Sequence, residues 1–356
     1  MKKCFTIITI LALIAASVPA RALTNDEELK YGKEVFLEIA RTVPVNNDPY
    51  MSFYLNDIRN RLDSKTIMPF NVVLTVIDSP TIDAFATIGG YVYIASGLIA
   101  NCDNEEELAG VMAHEFAHIK KRHIVKRMEK QKYINATMLA TMLAALLVGD
   151  AARTAVLAMG MGSAQTMSLK YSRQDEEEAD REGSTLANAA GYGGLGIADF
   201  LKKLRYGGGD KLYPQYLLTH PYHESRIIAL ESMWKRQPPS KEVSLFPYVI
   251  ARAKAVQNYK ATGLVDDIWV KRYTQNGKDP VAAYGASLYY AFKGNFEKAL
   301  EIARSNPSPY RDLFIGEILI LANRFPDAVE ALRDVYERVG RYYLARAYEG
   351  MGRSDL

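Results

Sequence analysis

The stretch His114-Glu115-Phe116-Ala117-His118 decides how the rest of the chain is interpreted. Residues four apart lie on one face of an α-helix, so His114 and His118 can bind a single metal ion. Glu115 then lies beside them, where a carboxylate can take a proton from a water that the metal activates. All five histidines of the chain fall between residues 114 and 123 or between 220 and 223, which is typical of a site.

The residues around this motif predict a helix that is capped at its start and buried along one side. Asp103 or Asn104 can cap it, and the glutamates at 105–107, followed later by basic residues, suit the helix dipole. Apolar residues recur on one side of the helix and can pack against a core: Leu108, Val111, Met112, Phe116, Ile119 and Ile124. The metal site is therefore expected to have a rigid support.

Two positions compete to supply the third metal ligand. His123 lies nine residues after His114, which turns it away from the metal on a continuous helix, so a surface or capping role is expected. The alternative lies in the acidic run 173–180, which by itself would be interpreted as a solvated helix start. There Glu176 can bind zinc while Asp180 accepts the free ring N–H of a liganding histidine. Two imidazoles, one carboxylate and an open position are a typical catalytic zinc set.

Three segments follow one another in an order that carries a family resemblance. They are residues 83–98 with the helix that follows, residues 172–183, and Thr219-His220-Pro221 with Arg226. In this order they resemble the HtpX/BepA-type gluzincin zinc metallopeptidases, a family that includes the CAAX prenyl proteases. The resemblance spans about residues 30–230. Asp83 stands where the family usually has Asn, and Ile88 where it usually has Pro, which leaves substrate preference open.

The resemblance implies a role for each residue of the site. The zinc ligands would be His114, His118 and Glu176. Glu115 would be the general base, and the Asp180 carboxylate would lie behind one of the histidine ligands. His220 is similar to a family histidine near the open coordination position, where it would stabilise the oxyanion or cap the zinc in a latent state. Arg226 would hold that loop or the developing negative charge. No role is implied for His223.

Two stretches before the metal helix are predicted to be β-strands. Residues 70–77 and 91–94 are β-branched and aromatic, and they are bounded by Ser79-Pro80 and Gly89-Gly90. An edge strand beside the cleft would pair with an extended peptide through main-chain hydrogen bonds, which favours protein substrates. An ordinary buried hairpin would explain the same residues.

The first 22 residues are predicted to be a cleaved secretory signal peptide. Lysines at positions 2 and 3 precede an apolar run over 5–18, and Ala-Arg-Ala at 20–22 has the form of a cleavage site. Cleavage removes three basic residues and no acids, so the formal charge falls from +3 to zero, which argues against nucleic-acid binding. Cys102 is then the one cysteine left, so an internal disulfide and a thiolate zinc site are excluded. The bacterial periplasm is the expected compartment.

Beyond the leader we expect two domains joined by a short linker. The predicted parts are a helix-rich α+β zinc metallopeptidase domain with a small sheet (23–235), a linker (236–244), and an all-α tetratricopeptide-like repeat domain (245–356). Similar segments begin at Gly294, Asn323 and Gly352, a spacing of 29 residues that is shorter than the usual period of about 34. An ordinary array of helical hairpins is the alternative.

Two further segments are interpreted from composition alone. Residues 136–149 are apolar but too short to span a bilayer as a helix, so a buried or interfacial helix is expected, and peripheral membrane contact stays open. Residues 154–169 are rich in Met, Ala and Gly, and are predicted to form a mobile cover over the cleft.

These features together predict a periplasmic endopeptidase with one Zn²⁺ per chain that cleaves misfolded or stalled envelope and outer-membrane proteins. The resemblance implies that the repeat region docks on outer-membrane assembly machinery. The main alternative is a chaperone or assembly factor for outer-membrane proteins whose zinc site is latent. A repeat region that serves only dimerisation, and a small-molecule hydrolase, are the remaining alternatives.

Overall fold

The computed structural model describes residues 23–130, 171–206, 216–236, 244–262 and 267–353. The predicted signal peptide, the segments 136–149 and 154–169, and most of the predicted linker lie outside the described residues. Among the described helices, none combines the length and the apolar character needed to cross a membrane.

The peptidase part of the chain combines helices with one small sheet. Before the first gap lie α1 (Asn25–Thr42), α2 (Pro49–Asp63), β1 (Val73–Ile77), β2 (Ala84–Thr87), β3 (Tyr91–Ala95), α3 (Ser96–Asn101), α4 (Glu105–Lys120) and α5 (His123–Lys130). After it lie α6 (Arg173–Ala189), α7 (Gly196–Tyr206), α8 (Tyr216–Thr219) and α9 (Glu224–Met233). The predicted α+β, helix-rich architecture is confirmed for this part.

In the described residues the sheet has three strands in the order β1-β3-β2. β1 runs parallel to β3, whereas β2 runs antiparallel to it, with Ala86 opposite Val92. Both predicted strands are present, the first only over Val73–Ile77, but they are parallel neighbours, so the hairpin interpretation of that pair was wrong. The hairpin is β2–β3, and Gly89 and Gly90 turn it with φ of 81° and 89°, which glycine adopts without strain.

The metal helix α4 lies inside the core, with α6, α7 and the edge strand β2 packed around it. Asn104 caps it by accepting a hydrogen bond from the Glu107 N–H at 2.8 Å. Residues 107–119 are buried on every side of the helix. Gly183 allows α6 to come close, because a Cβ there would lie 2.8 Å from the Cα of His114. The motif is therefore held between neighbours on several sides.

α4 ends three residues before His123, and the chain turns sharply there. Arg122 has a left-handed φ of 54°, which ends one helix and lets α5 start in a new direction. The guanidinium of Arg122 donates to Glu28 and, at 2.8 Å, to the carbonyl of Leu23, which ties the turn to α1. The expectation of one continuous helix through Ile124 was wrong.

The C-terminal part is helical throughout its described residues. It consists of α10 (Phe246–Thr262), α11 (Ile268–Gln275), α12 (Pro280–Phe292), α13 (Phe296–Ser305), α14 (Arg311–Leu321), α15 (Phe325–Leu332) and α16 (Arg338–Gly350). Gly294, Asn323 and Gly352 end helices with left-handed φ of 76°, 56° and 72°. After each, the next N–H donates to the carbonyl five residues earlier at 2.8 or 2.9 Å, the same Schellman-type cap repeated every 29 residues. The tetratricopeptide-like assignment itself stays a prediction.

The described residues on either side of the predicted linker pack against each other. α10 lies on α2 and α3, and α16 also contacts α2. One hydrophobic cluster runs through both parts and includes Leu55, Leu98, Val249, Leu288 and Phe314. The predicted boundary stays a prediction, but the helices beyond it contribute to the same core as the metal helix.

Candidate metal centre

Four buried side chains bring one donor atom each to a common point. The Nε2 atoms of His114 and His118 are 2.9 Å apart, and the Nδ1 of His220 lies 3.3 Å from the former. Glu176 Oε1 lies 3.1 Å from His220 Nδ1 and 3.5 Å from His118 Nε2. All of these side chains are at most 1% exposed. The predicted pair of histidines and the predicted carboxylate therefore meet, together with His220.

The donor set fits zinc. In a tetrahedral site with zinc–ligand distances near 2.0–2.1 Å, neighbouring donors lie roughly 3.3 Å apart. The separations of 2.9, 3.1, 3.3 and 3.5 Å fall on both sides of that value. Ring nitrogens that face one another and a carboxylate oxygen hold more lone pairs than protons, which a cation satisfies. His114, His118, Glu176 and His220 would hold the ion.

The carboxylate ligand is placed by the start of α6. Ser172 and Asp175 form a capping box there, in which the Ser172 hydroxyl accepts from the Asp175 N–H. Glu176 and Asp180, four residues apart, then face α4 and are buried, as their spacing predicted. Glu177 does belong to a solvated helix start, since its side chain is 41% exposed and pairs with a surface arginine.

A carboxylate and a guanidinium stand behind the donors. Asp180 Oδ1 lies 3.0 Å from the Nδ1 of His114, the predicted contact. Arg226 binds both oxygens of Asp180 at 2.6 and 2.8 Å and reaches Glu176 Oε2 at 2.6 Å. Burial alone would raise the pKa of Glu176, but Arg226 and His220 outweigh it and hold that pKa well below its usual range. Arg226 also donates to the carbonyl of Pro221 at 3.1 Å, which ties the His220 loop to the site.

The predicted base lies between the donors and the sheet edge. Glu115 Oε2 accepts a hydrogen bond of 2.9 Å from the N–H of Ala86 on β2. Its other oxygen lies 3.4 Å from the Nε2 of His220. Burial raises the pKa of Glu115 to about 8. A carboxyl group with such a pKa can both accept and return a proton near neutral pH.

Aromatic rings hold His220 in place. Tyr216 stacks on its imidazole at 4.4 Å and 17°, and Tyr171 lies 5.1 Å away on a tilted plane. Tyr171 also stacks on His118 at 3.8 Å and donates its N–H to Thr219. Neither tyrosine was predicted from the sequence. For Tyr216 a signal existed, since it lies one helical turn before His220.

The two histidines without a predicted metal role differ from each other. His223, for which no role was implied, lies outside the donor cluster as the N-cap of α9, where its side chain makes no cap hydrogen bond. His123 was expected at the surface or at a cap, and the surface part of this expectation was wrong, since the residue is 1% exposed. Its Nδ1 lies 2.9 Å from the Nδ1 of His118, because the turn at Arg122 redirects the chain.

Comparison with known proteins gives the same assignment. The model of Peptidase family M48 matches residues 54–234, just over half of the chain. The beta-barrel assembly-enhancing protease of Escherichia coli strain K12 is 30% identical over 295 residues, 78% of this chain and 58% of that protein. A Vibrio cholerae protein that carries the same name provisionally is 33% identical over 302 residues, 80% of this chain and 60% of the relative. The chain thus spans about three fifths of the length of these relatives.

More distant similarity is restricted to part of the chain. The mitochondrial metalloendopeptidase OMA1 of Saccharomyces cerevisiae is 30% identical over 177 residues, 47% of this chain and 48% of that protein. The match to the family model contains every donor of the metal centre, the predicted base and Arg226. The resemblance inferred from the motifs is confirmed, and the chain belongs to Peptidase family M48.

Proposed function

We propose that the protein is a zinc-dependent endopeptidase. The observation that carries the proposal is the convergence of four donors next to a buried carboxylate that is hydrogen-bonded to a sheet edge. Membership of Peptidase family M48 supports it. The three predicted ligands, His114, His118 and Glu176, would hold the zinc ion throughout the reaction.

Each part of the site has a distinct chemical task. Zinc, when bound, supplies a Lewis acid that polarises the scissile carbonyl and lowers the pKa of water. Glu115 accepts the proton of the attacking water and later returns it to the leaving amine, which the raised pKa of its carboxyl group favours. Arg226 holds Glu176 and Asp180 in place, and Asp180 fixes the ring of His114.

The edge strand β2 is the proposed peptide-binding element. The N–H of Ala95 donates to the carbonyl of Asp83, so in the alternating antiparallel pattern Ala84 and Ala86 direct their main-chain groups away from β3. Those groups would pair with an extended substrate next to Glu115. In the described conformation, the N–H of Ala86 donates a hydrogen bond to Glu115, and the N–H of Tyr216 donates to the carbonyl of Ile82 at 3.0 Å. Substrate must therefore replace these bonds.

We infer that this conformation is the latent form of the enzyme. His220 supplies the fourth donor, and the ligands and Glu115 are all but inaccessible to solvent. Activation would move the His220 loop and α8, which would open the fourth coordination position for water and substrate. A closed site also favours the second candidate function, a chaperone or assembly factor whose zinc is kept inactive.

The substrates are proposed to be misfolded or stalled envelope and outer-membrane proteins in the periplasm. The support is the name of the bacterial relatives, which describes a protease that enhances beta-barrel assembly. The C-terminal helices would serve as a tetratricopeptide-like docking region for assembly machinery. The leader predicted at the N-terminus supports export.

The test combines metal analysis with proteolysis in purified protein. Bound zinc and casein cleavage are measured for the wild type, for His220→Ala, and for His220→Ala combined with Glu115→Gln. We expect one zinc per chain in all three and faster cleavage in His220→Ala. The double variant should cleave about 10²- to 10⁴-fold more slowly than His220→Ala, since it lacks only the base.

The matched control is His223→Ala, which removes a nearby histidine that lies outside the donor cluster. It should keep wild-type zinc content and cleavage. Zinc without cleavage in any variant would favour the assembly-factor function. A wild type that binds no zinc would overturn the proposal.

A further inference from the structure

The two ligand histidines of α4 are supported by different kinds of group. Behind His114 stands the Asp180 carboxylate, with Oδ1 3.0 Å from Nδ1. Behind His118 stands a second imidazole, that of His123, with the two Nδ1 atoms 2.9 Å apart. His123 in turn places its Nε2 3.2 Å from Glu178 Oε2. The sequence motif assigned no task to His123 or Glu178.

The positions of the ring protons on His118 and His123 follow from the requirement that His118 binds zinc. His118 directs its Nε2 to the other donors, so for that atom to offer a lone pair to zinc the ring proton must be on Nδ1. This N–H donates to the Nδ1 of His123, which must therefore be unprotonated. The ring proton of His123 is then on Nε2 and donates to Glu178. When the hydrogen bonds run in one direction, from His118 through His123 to Glu178, each of these ring nitrogens has a partner.

We propose that His123 is a positioning residue for the metal centre, which holds His118 in the Nε2-coordinating tautomer and fixes the orientation of its ring. The proposal rests on the proposed zinc function. His123 itself is not among the donors that meet at the metal position. It acts through the nitrogen of His118 that faces away from zinc.

A backbone turn and an ion pair place His123 and Glu178 behind His118. On a continuous helix the residue nine after His114 would face away, but the left-handed Arg122 redirects the chain so that His123 returns toward His118. Glu178 is held on its other oxygen by Lys121 at 3.1 Å. Glu178, the last group in this series of hydrogen bonds, is thus held by the same turn that places His123.

The test measures zinc affinity by competition with a chelator of known affinity, for the wild type, His123→Leu and His123→Asn. Leucine has a similar size but accepts no hydrogen bond, so the zinc Kd should rise about 10- to 100-fold. The amide oxygen of asparagine can stand near the former Nδ1 and accept from His118. His123→Asn should therefore recover most of the affinity.

A second readout separates positioning from general stability. In cobalt-loaded protein the visible absorption bands report ligand geometry, and we expect them to change in His123→Leu but not in His123→Asn. Val125→Ala is the matched control, because it truncates a buried side chain on the same helix that carries no donor atom. It should lower Tm while zinc affinity and the cobalt spectrum stay at wild-type values.

The outcomes distinguish this inference from the proposed function. Wild-type zinc affinity and cobalt spectrum in a folded His123→Leu variant would overturn the positioning role and leave the zinc enzyme intact. Absence of zinc from the wild type would overturn both. If His123→Leu does not fold, Glu178→Ala decides, since that residue is 41% exposed. It should weaken zinc binding several-fold, and unchanged affinity would refute the role of His123.

Discussion

Two buried clusters of charge among the described residues are built differently. The junction cluster, formed by Asp48, Arg252, Tyr284 and Glu317, connects the N-terminal helices to the C-terminal ones. In it, Arg252 pairs with both carboxylates and Tyr284 donates to Glu317 at 3.1 Å. The guanidinium also lies 5.0 Å from the centre of the Tyr50 ring. The cation of this cluster is thus a side chain that is enclosed by its partners.

The metal centre contains an arginine as well, but it does not occupy the middle. Arg226 binds Asp180 and the outer oxygen of Glu176, whereas Oε1 of Glu176 and three ring nitrogens face one another. Donors that converge on one another are costly unless a cation joins them. The contrast teaches that burial and charge alone do not indicate function. The position of the cation relative to the donors does.

Removing the cation of the junction cluster should have the largest effect on stability. Arg252→Met leaves the Asp48 and Glu317 carboxylates buried without a counter-charge, which costs about 3–5 kcal/mol of unfolding free energy. Denaturant unfolding measures this loss. Zinc content per folded chain should stay at the wild-type value, because the cluster is structural.

The matched control is an exposed ion pair in the same region. Arg272 pairs with Asp279 at 2.7 Å but is 54% exposed, so Arg272→Met should cost less than about 1 kcal/mol. Equal losses of unfolding free energy in the two variants would mean that burial of the junction cluster contributes nothing to stability. That result would contradict the difference inferred between buried and exposed ion pairs.

A smaller effect is expected where two helices of the metal centre touch. In Gly183→Ala the new Cβ would lie 2.8 Å from the Cα and N of His114, so α4 and α6 must separate. Such overpacking costs about 1–3 kcal/mol, and zinc affinity should fall because Glu176 moves relative to the histidines. Thermal unfolding and chelator competition measure both effects.

Gly277→Ala is the control for this substitution. Its nearest neighbour would be a carbonyl oxygen at 3.9 Å, so stability and zinc affinity should stay unchanged. A Gly183→Ala variant with wild-type zinc affinity would show that the metal centre tolerates a wider separation of the helices than we infer.

The smallest effect should come from helix caps, one in each region. Asn104 accepts from the Glu107 N–H at 2.8 Å, and Asn295 accepts from the Lys298 N–H at 3.2 Å. Each substitution by alanine should cost about 1 kcal/mol in denaturant unfolding, with zinc affinity unchanged. A loss of zinc affinity in Asn104→Ala alone would show that the cap of α4 controls the donors as well as the helix.

The parts of the site that follow helical periodicity could be predicted from the sequence. His114 and His118, like Glu176 and Asp180, are four residues apart, so each pair shares a face once its helix forms. A cap at Asp103 or Asn104 was predicted on the same local basis, and Asn104 forms it. The turns at Gly294, Asn323 and Gly352 were also visible, because each depends on a few neighbouring residues.

The features that could not be predicted from the sequence depend on contacts between residues distant in the chain or on one backbone angle. The single left-handed residue Arg122 decides whether His123 faces solvent or His118, and arginine gives no signal for it. The role of Ala86 follows from sheet order rather than from local pattern. Arg252 and Asp48 are 204 residues apart, so nothing local indicates that they form a pair.

The most direct test of the central claim is X-ray absorption at the zinc edge of the purified, zinc-loaded protein, combined with metal analysis. We predict one zinc per chain, surrounded by nitrogen and oxygen donors at about 2.0–2.1 Å with imidazole scattering. His220→Ala should lose one imidazole from this set. A sulfur neighbour near 2.3 Å, or a protein that retains no zinc, would contradict the assignment of His114, His118, Glu176 and His220 as the metal centre.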